Sequence, residues 1–411
     1  MEKYQKLRIL SYQNPNTDED FEKRFFSYTT IHTGLSIFPF LNEQKISDTQ
    51  FELFYLPLPA ILNKEERIRY NSEDLNKMQE TLPGIAQTQI ALSTMIDEVQ
   101  STNETEGVES TKYEIGQAVI NRGTTTSKKK RFEGIVNMYL NLNEEKFEYI
   151  EQPSDLRAIY DALFEGEDDI NEWPDGKIFR ADQVELKDND KVIHRGVTGE
   201  PAVIAAIKDL ITFMNRKDIP YMEKCLITHY YLEYVHPFYD GNGRLGRFII
   251  SSYFTRKLDT FTGLSISNAV NSNKSKYYKA FEEVSNPRNR GEITHFVNDM
   301  LDLIIIGQES SKAKLSEAVA KMNLVDSYIE KLHKSKVLSK GAINTLYGLI
   351  QDHLFSFFGT SEDQDFALFM DVSRYKLKKY LTELEEKDYI KKTSISPSKH
   401  ELTEKVIVEI S

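Results

Sequence analysis

One cysteine, Cys225, stands in a chain of 411 residues. No disulfide can close within the chain, and such sparing use fits a reducing compartment. Cys225 lies in the apolar run 222–231, the setting of a buried structural thiol rather than a nucleophile. Long apolar runs are also missing. The most apolar stretch, 300–307, is far too short to cross a bilayer. The first twenty residues, MEKYQKLRILSYQNPNTDED, hold no apolar core of a secretory signal. The expectation is a cytoplasmic protein with no membrane partner. Positive charge is in deficit: 52 Lys and Arg against 64 Asp and Glu give a net charge of -12 and a pI near 5.4. That argues against a general binder of nucleic acid or anionic membrane, although a locally basic face is compatible with it. No internal repeat occurs. What is present is ordinary for a globular chain, 40% apolar and 28% charged, with length for two or three domains.

The texture changes along the chain. Residues 1–84 read as an irregular N-terminal lobe, with Pro57 and Pro59 interrupting the apolar run 51–62. From 85 to 101 apolar residues recur at helical spacing (Ile90, Leu92, Met95, Ile96, Val99), so 85–110 is a helical segment and its end. Residues 111–308 follow as a mostly helical core, with helices expected at 112–121, 130–142, 155–164, 201–214, 221–235, 248–256, 274–284 and 294–307. The basic stretch 123–131 reads as a solvated loop. Inside the core, 184–187 and 191–194 alternate around Asp188-Asn189-Asp190, the pattern of a β-hairpin. A charged connector helix is expected at 309–336. The last unit, 337–411, runs helix (341–355), helix (365–372), helix (374–387 behind the N-cap Ser373), strand (389–393), polar turn (394–401) and strand (402–409). That is the order of a winged helix-turn-helix.

Chemistry concentrates in residues 236–247. A helix delivers the chain to His236, and Pro237 forbids its continuation. Phe238 is apolar in a polar stretch and reads as a plug that fixes the loop. Asp240 is a hard oxygen ligand suited to Mg²⁺. Gly241, Asn242 and Gly243 let backbone amides approach an anion, and a helix beginning near Gly243 turns its free N–H groups and dipole toward it. Arg244 and Arg247, three apart, share one helix face and suit a polyphosphate. An imidazole base, a magnesium ligand, an anion loop and two guanidinium groups together suit phosphoryl or nucleotidyl transfer.

The segment His236-Pro237-Phe238-Tyr239-Asp240-Gly241-Asn242-Gly243-Arg244-Leu245-Gly246-Arg247 resembles the Fic motif H-P-F-x-(D/E)-G-N-G-R-x-x-R at every specified position. The resemblance extends from about residue 50 to 306. It implies a mainly α fold: a Fic-type helical core with a β-hairpin flap, followed here by a small α+β winged-helix-like domain. It implies a protein adenylyltransferase using ATP and Mg²⁺ on a protein substrate, auto-modification included. His236 would take the proton of a Ser, Thr or Tyr hydroxyl, Asp240 would hold the metal, and Gly241, Asn242, Gly243, Arg244 and Arg247 would hold the phosphates. Tyr277, Tyr278 and Asn286 resemble the adenine-proximal positions. The flap would be 184–194, with Val184, Glu185, Leu186, Val192 and Ile193 docking the target backbone.

Residues 102–107 resemble the family's inhibitory pattern (S/T)-x-x-x-E-(G/N). It implies that Glu106 pairs with Arg247 in the place of the γ-phosphate, with Thr102 on the same helix face. Related proteins transfer UMP, phosphocholine or phosphate, and removal of AMP from a target is a further alternative. The C-terminal unit carries a second reading. Arg374, Lys376, Lys378 and Lys379 make one helix locally basic and suit DNA, yet 339–411 hold 10 Lys and Arg against 12 Asp and Glu. A protein-interaction module, including one that makes a homodimer, fits as well.

Overall fold

A computed structural model describes residues 4–14, 17–120, 122, 131–167, 170, 172–188, 190–357, 359 and 361–410. The basic stretch 123–131 falls outside these residues except for Arg131, and Asn189 of the expected hairpin turn also falls outside. The chain divides into two units, Met1–Ser72 with Ile96–Gln308, and Glu73–Met95 with Glu309–Ser411.

The N-terminal lobe is more regular than its sequence suggests. Helices α1 (Leu7–Gln13) and α2 (Thr17–Phe25) precede four short strands, β1 (Ile31–Ile37), β2 (Phe40–Leu41), β3 (Gln44–Lys45) and β4 (Phe51–Tyr55). β1 and β4 pair antiparallel, from Ile31 opposite Tyr55 to Ile37 opposite Phe51. The run 51–62 is not one interrupted element. Its strand stops at Tyr55, and Pro59 opens helix α3 (Pro59–Thr81), where a missing N–H costs nothing. Helix α4 (Gly84–Thr105) then runs one turn beyond the apolar pattern and carries Thr102 within it.

The core is built from α5 (Lys112–Ile120), α6 (Glu133–Asn143), α7 (Pro153–Leu163), the hairpin β5 (Glu185–Asp188) and β6 (Lys191–Arg195), and then α8 (Glu200–Met214), α9 (Tyr221–Val235) and α10 (Asn242–Lys257). Short α11 (Thr260–Gly263) and α12 (Ile266–Ser272) lead to α13 (Lys274–Ser285) and the 3₁₀ turn Pro287–Asn289. α9 packs against α8 and α10, and α10 also meets α6, α7 and α11. Twelve of the fifteen residues of α9 are buried, so it is covered on all sides and shows no amphipathic stripe. The two expected helices 294–307 and 309–336 are a single helix, α14 (Thr294–Ser335), because nothing in residues 308–310 breaks the ladder.

In the second unit α15 (Lys340–Phe355), α16 (Asp363–Phe369) and α17 (Arg374–Glu386) come in the expected order. Ser373 caps α17 by accepting from the Lys376 N–H at 3.4 Å, and Leu377, Leu381 and Leu384 form its buried face. The hairpin differs from expectation. Strands β7 (Ile390–Ile395) and β8 (Ser398–Leu402) occupy much of the expected turn, and residues 404–410 are helix α18 (Glu404–Ile410), not strand. Leu402 already faces Ile390, the first residue of β7, so the chain beyond it has no strand to pair with. Its apolar residues instead bury Val406 and Ile410, one helical turn apart. Among the described residues no helix is long and apolar enough to cross a membrane.

Candidate active site

His236 is held by the way α9 ends. It takes the left-handed conformation (φ 52°) and its N–H still reaches the Leu232 carbonyl at 2.9 Å, so the imidazole leaves the helix axis at a sharp corner. The ring Nδ1 lies 3.3 Å from the Glu233 carbonyl. A carbonyl only accepts, so this contact puts the proton on Nδ1 and leaves Nε2 as the basic nitrogen. Burial, with His194 close by, pulls the His236 pKa down to about 3, and the ring is neutral at physiological pH.

Just beyond His236 the loop closes on itself, Phe238 against Asn242. The Phe238 N–H donates to Asn242 Oδ1 at 3.0 Å, and Asn242 Nδ2 donates back to the Phe238 carbonyl at 2.9 Å. The Asn242 side chain therefore fixes the loop's shape, and its backbone N–H stands at the start of α10 where it can serve an anion. Phe238 is fully buried and stacks on Tyr160 with ring centroids 3.7 Å apart. Gly241 sits at φ 80°, and an added Cβ would come within 2.7 Å of the Phe164 ring. Both conformation and space demand glycine there. Asp240 accepts the Gly241 N–H at 2.6 Å and is only partly buried.

α10 starts at Asn242, so its first amides and both arginines belong to one helix start. Arg244 is 1% exposed, lies 4.5 Å over the Phe164 ring, and its Nε and Nη2 have no hydrogen-bond partner among the described residues. A buried guanidinium with two open donors is costly unless an anion completes it. Arg247 is equally buried but occupied. Its Nη2 is 2.8 Å from Glu106 Oε1, its Nε donates to Thr102 Oγ1 at 2.9 Å, and Nη2 also reaches the Thr102 carbonyl at 3.1 Å. Burial opposes the charge on Arg247, and Glu106 holds it protonated above its ordinary range. A Cβ on Gly243 would fall 2.3 Å from Glu106 Oε1, so the Glu106 carboxylate lies against the first turn of α10, where the helix dipole favours an anion.

The end of α4 that carries Glu106 is tied down on several sides. The Glu98 carboxylate, fully buried, accepts from the Ser267 and Asn268 N–H groups at the start of α12. Lys274 Nζ donates to the Glu104 carbonyl at 2.6 Å, and the Tyr278 hydroxyl to the Thr105 carbonyl at 3.2 Å.

One cavity of about 460 Å³ has Glu106, His236, Gly243, Arg247, Tyr277 and Tyr278 on its wall, whereas Thr102, Asp240, Gly241, Asn242 and Arg244 do not line it. Tyr277 is buried with its hydroxyl 2.7 Å from His229 Nε2. Asn286 is not on that wall; its side chain accepts the Arg288 N–H at the 3₁₀ turn. Of the five expected docking residues, Leu186 and Ile193 line the cavity, as do Lys187 and His194 of the hairpin, whereas Val184, Glu185 and Val192 do not. Glu185 is paired with Arg195 across the hairpin at 2.9 Å.

Three residues of the site went unnoticed in the sequence. Arg180 is completely buried and donates to the carbonyls of His236 (2.7 Å), Val197 (2.6 Å), Val235 (3.2 Å) and Asp182. It binds the base of the hairpin to the corner that presents His236. His194 joins the hairpin to α9 through the Tyr234 carbonyl at 2.8 Å, and burial lowers its pKa to about 4. Glu233 lines the cavity with Oε1 buried and without a hydrogen-bond partner among the described residues, and burial, with Glu106 close by, raises its carboxyl to about 8. An acidic residue in the otherwise uncharged stretch 225–235, three positions before His236, was the signal for Glu233. Nothing local marked Arg180.

Residues 149–254 match the Fic/DOC family. A probable protein adenylyltransferase of Aquifex aeolicus is 27% identical over 139 residues, which are 32% of this chain and 38% of that protein. The chain thus spans under two-fifths of the length of this curated relative. Among solved structures, a Fic family protein from Desulfovibrio desulfuricans G20 shares 17% identity with a TM-score of 0.49, covering 85% of this chain and 98% of its own. Fic-1 from C. elegans shares 17% identity with a TM-score of 0.41, over 63% and 74%.

Proposed function

We propose that this chain, which carries a Fic domain, transfers AMP from ATP to a Ser, Thr or Tyr hydroxyl of a protein and is restrained at rest by Glu106. The observation that carries the reading is a neutral His236 with a free Nε2 opening on the same cavity as the Arg247 guanidinium, with the first turn of α10 at Gly243 on that wall. His236 Nε2 takes the proton of the target hydroxyl as its oxygen forms a bond to the α-phosphorus. The bond from that phosphorus to the bridging oxygen breaks, and pyrophosphate leaves. The open donors of Arg244 and the free amides of α10 stabilise the charge that develops on the phosphates. Arg247 holds the γ-phosphate once Glu106 has moved away.

Among the described residues no group of three or more His, Cys, Asp or Glu side chains is gathered for a metal. The loop's single carboxylate, Asp240, suits Mg²⁺, which takes few protein ligands and draws the rest from phosphates and water. When bound, the ion would neutralise phosphate charge. The edge of the hairpin β5–β6 would accept the target backbone as an added strand. Tyr277 and Tyr278 would flank the base, and Asn286, outside the cavity, has no part in this reading.

The test is intact-mass spectrometry of purified wild-type, Glu106→Gly and Glu106→Gly/His236→Ala proteins after incubation with each of ATP, UTP and CDP-choline in Mg²⁺. The reading expects a gain of one AMP with ATP in Glu106→Gly only. A gain with another donor changes the reaction, and no gain from any donor removes the transferase reading. If wild type gains as much AMP as Glu106→Gly, the restraint falls.

A second reading rests on α17. Lys376, Lys378 and Lys379 are exposed and make no ion pair among the described residues, although acidic residues follow closely in sequence. If this face binds DNA, a gel-shift titration over salt shows a steep slope that flattens when the three lysines are changed to glutamine. Binding that ignores those changes leaves the unit as a protein-interaction module.

A further inference from the structure

Behind the two helices that lead to His236 and carry Arg247 lies a second cavity, of about 140 Å³, walled by α7, α9, α10, the end of α8 and residues 148–151. Its body is apolar: Ile150, Ile159, Met214, Phe248 and Ile249 line it, and a smaller void shares Ile150, Met214, Thr228 and Ile249 with it. Two polar features do not fit a plain packing defect. Thr228, 5% exposed, lines the cavity with a buried hydroxyl that has no hydrogen-bond partner among the described residues. A buried hydroxyl left unpaired is costly, and so its place in a cavity wall implies a missing partner. Arg256, half-buried, also lines the cavity. Its guanidinium lies 5.0 Å over the Tyr149 ring and 5.3 Å over the Tyr253 ring, and it makes no ion pair among the described residues. Glu148 and Glu151 stand exposed at the rim without pairing to it.

We infer that this cavity is a binding site for a small aryl carboxylate, with its ring in the apolar body, its carboxylate on Arg256 and an oxygen within reach of the Thr228 hydroxyl. The volume sets the size of the ring: an engineered apolar cavity of about 150 Å³ in another protein takes up benzene. The planar guanidinium, close to two tyrosine rings, sets the head group, because it presents paired donors that match a carboxylate. Lys224, also on the wall, adds positive charge, although its Nζ is engaged with the Arg216 carbonyl at 2.5 Å.

The experiment is isothermal titration of the full chain with sodium benzoate and with benzamide, its neutral isostere. Benzoate is expected to bind at millimolar concentration and benzamide at least tenfold more weakly, the ratio one charge-assisted bond supplies. Arg256→Gln should bring the two ligands level. Thr228→Val removes a hydroxyl with no partner, so it should fold at least as stably as wild type and weaken benzoate severalfold. Arg244→Gln, on the phosphate side, should leave benzoate binding unchanged. The inference is overturned if benzoate does not bind or if benzamide binds equally well. It is also overturned if Arg244→Gln rather than Arg256→Gln abolishes binding. None of these readings depends on nucleotide transfer, so failure here and failure of the adenylyl-transfer reading are separable.

Discussion

At the scale of single residues, the site sets two carboxyl groups against one guanidinium. Glu106 makes the ion pair with Arg247, and Glu233 sits near both with a buried, unpartnered oxygen. Burial and Glu106 raise the Glu233 carboxyl from 4.5 to about 8, with Arg247 pulling the other way. Because the folded-state value is the higher one, Glu233 favours the folded state below its ordinary pKa, and that contribution is lost as pH rises through about 8. Glu233→Gln keeps the shape and removes the titration. Urea denaturation across this window should show wild type losing stability relative to Glu233→Gln as pH rises, and parallel curves would mean that Glu233 is ionised throughout. The motif residues were legible one by one because each is a special residue for local chemistry. Asn242 was legible only in part: its identity suggested phosphate binding, but its side chain closes the loop onto Phe238. That distinction depends on a contact four residues back and leaves no mark on composition.

At the scale of elements, the site depends on two joints. One is the corner at the end of α9, and the other is the root of the hairpin β5–β6. Arg180 spans both by donating to the carbonyls of Val235, His236 and Val197. A lysine has one point charge and cannot reproduce that fork. Arg180→Lys is expected to lower the transfer rate of the Glu106→Gly protein at least tenfold while the KM for ATP changes little, because Arg244 and Arg247 remain in place. A loss confined to KM would place Arg180 with the nucleotide instead. Helix existence was legible wherever a 3.6-residue period ran unbroken, and Ser373 marked its helix correctly. The failures have separate causes. Residues 404–410 are rich in β-branched side chains, yet the partner strand has run out at Ile390 and burial of Val406 and Ile410 decides for helix. Pro59 looked like an interruption and is a helix start.

At the scale of the whole molecule, the sequence separated a helical core from a C-terminal unit, but not the division seen in the contacts. Helices α3, α4 and α14 each begin in one unit and end in the other, so no linker composition marks the boundary. The net charge of -12 says nothing of where cations matter, because Arg180, Arg244 and Arg247 are buried and α17 gathers its lysines on an exposed face. The self-closed loop 238–242 has a further consequence. A cradle tied by its own side chain is preorganised and pays no ordering cost when a polyphosphate arrives. On the proposed reading disorder is not what restrains the protein. The restraint would be an occupant, the Glu106 carboxylate paired with Arg247, and an occupant is displaced by mass action. Calorimetric titration should find ATP bound more tightly by Glu106→Gly than by wild type, and equal affinities would mean that the carboxylate and the nucleotide do not compete. On this view the resting protein is a rheostat for ATP, gated by rivalry for a seat that is already made.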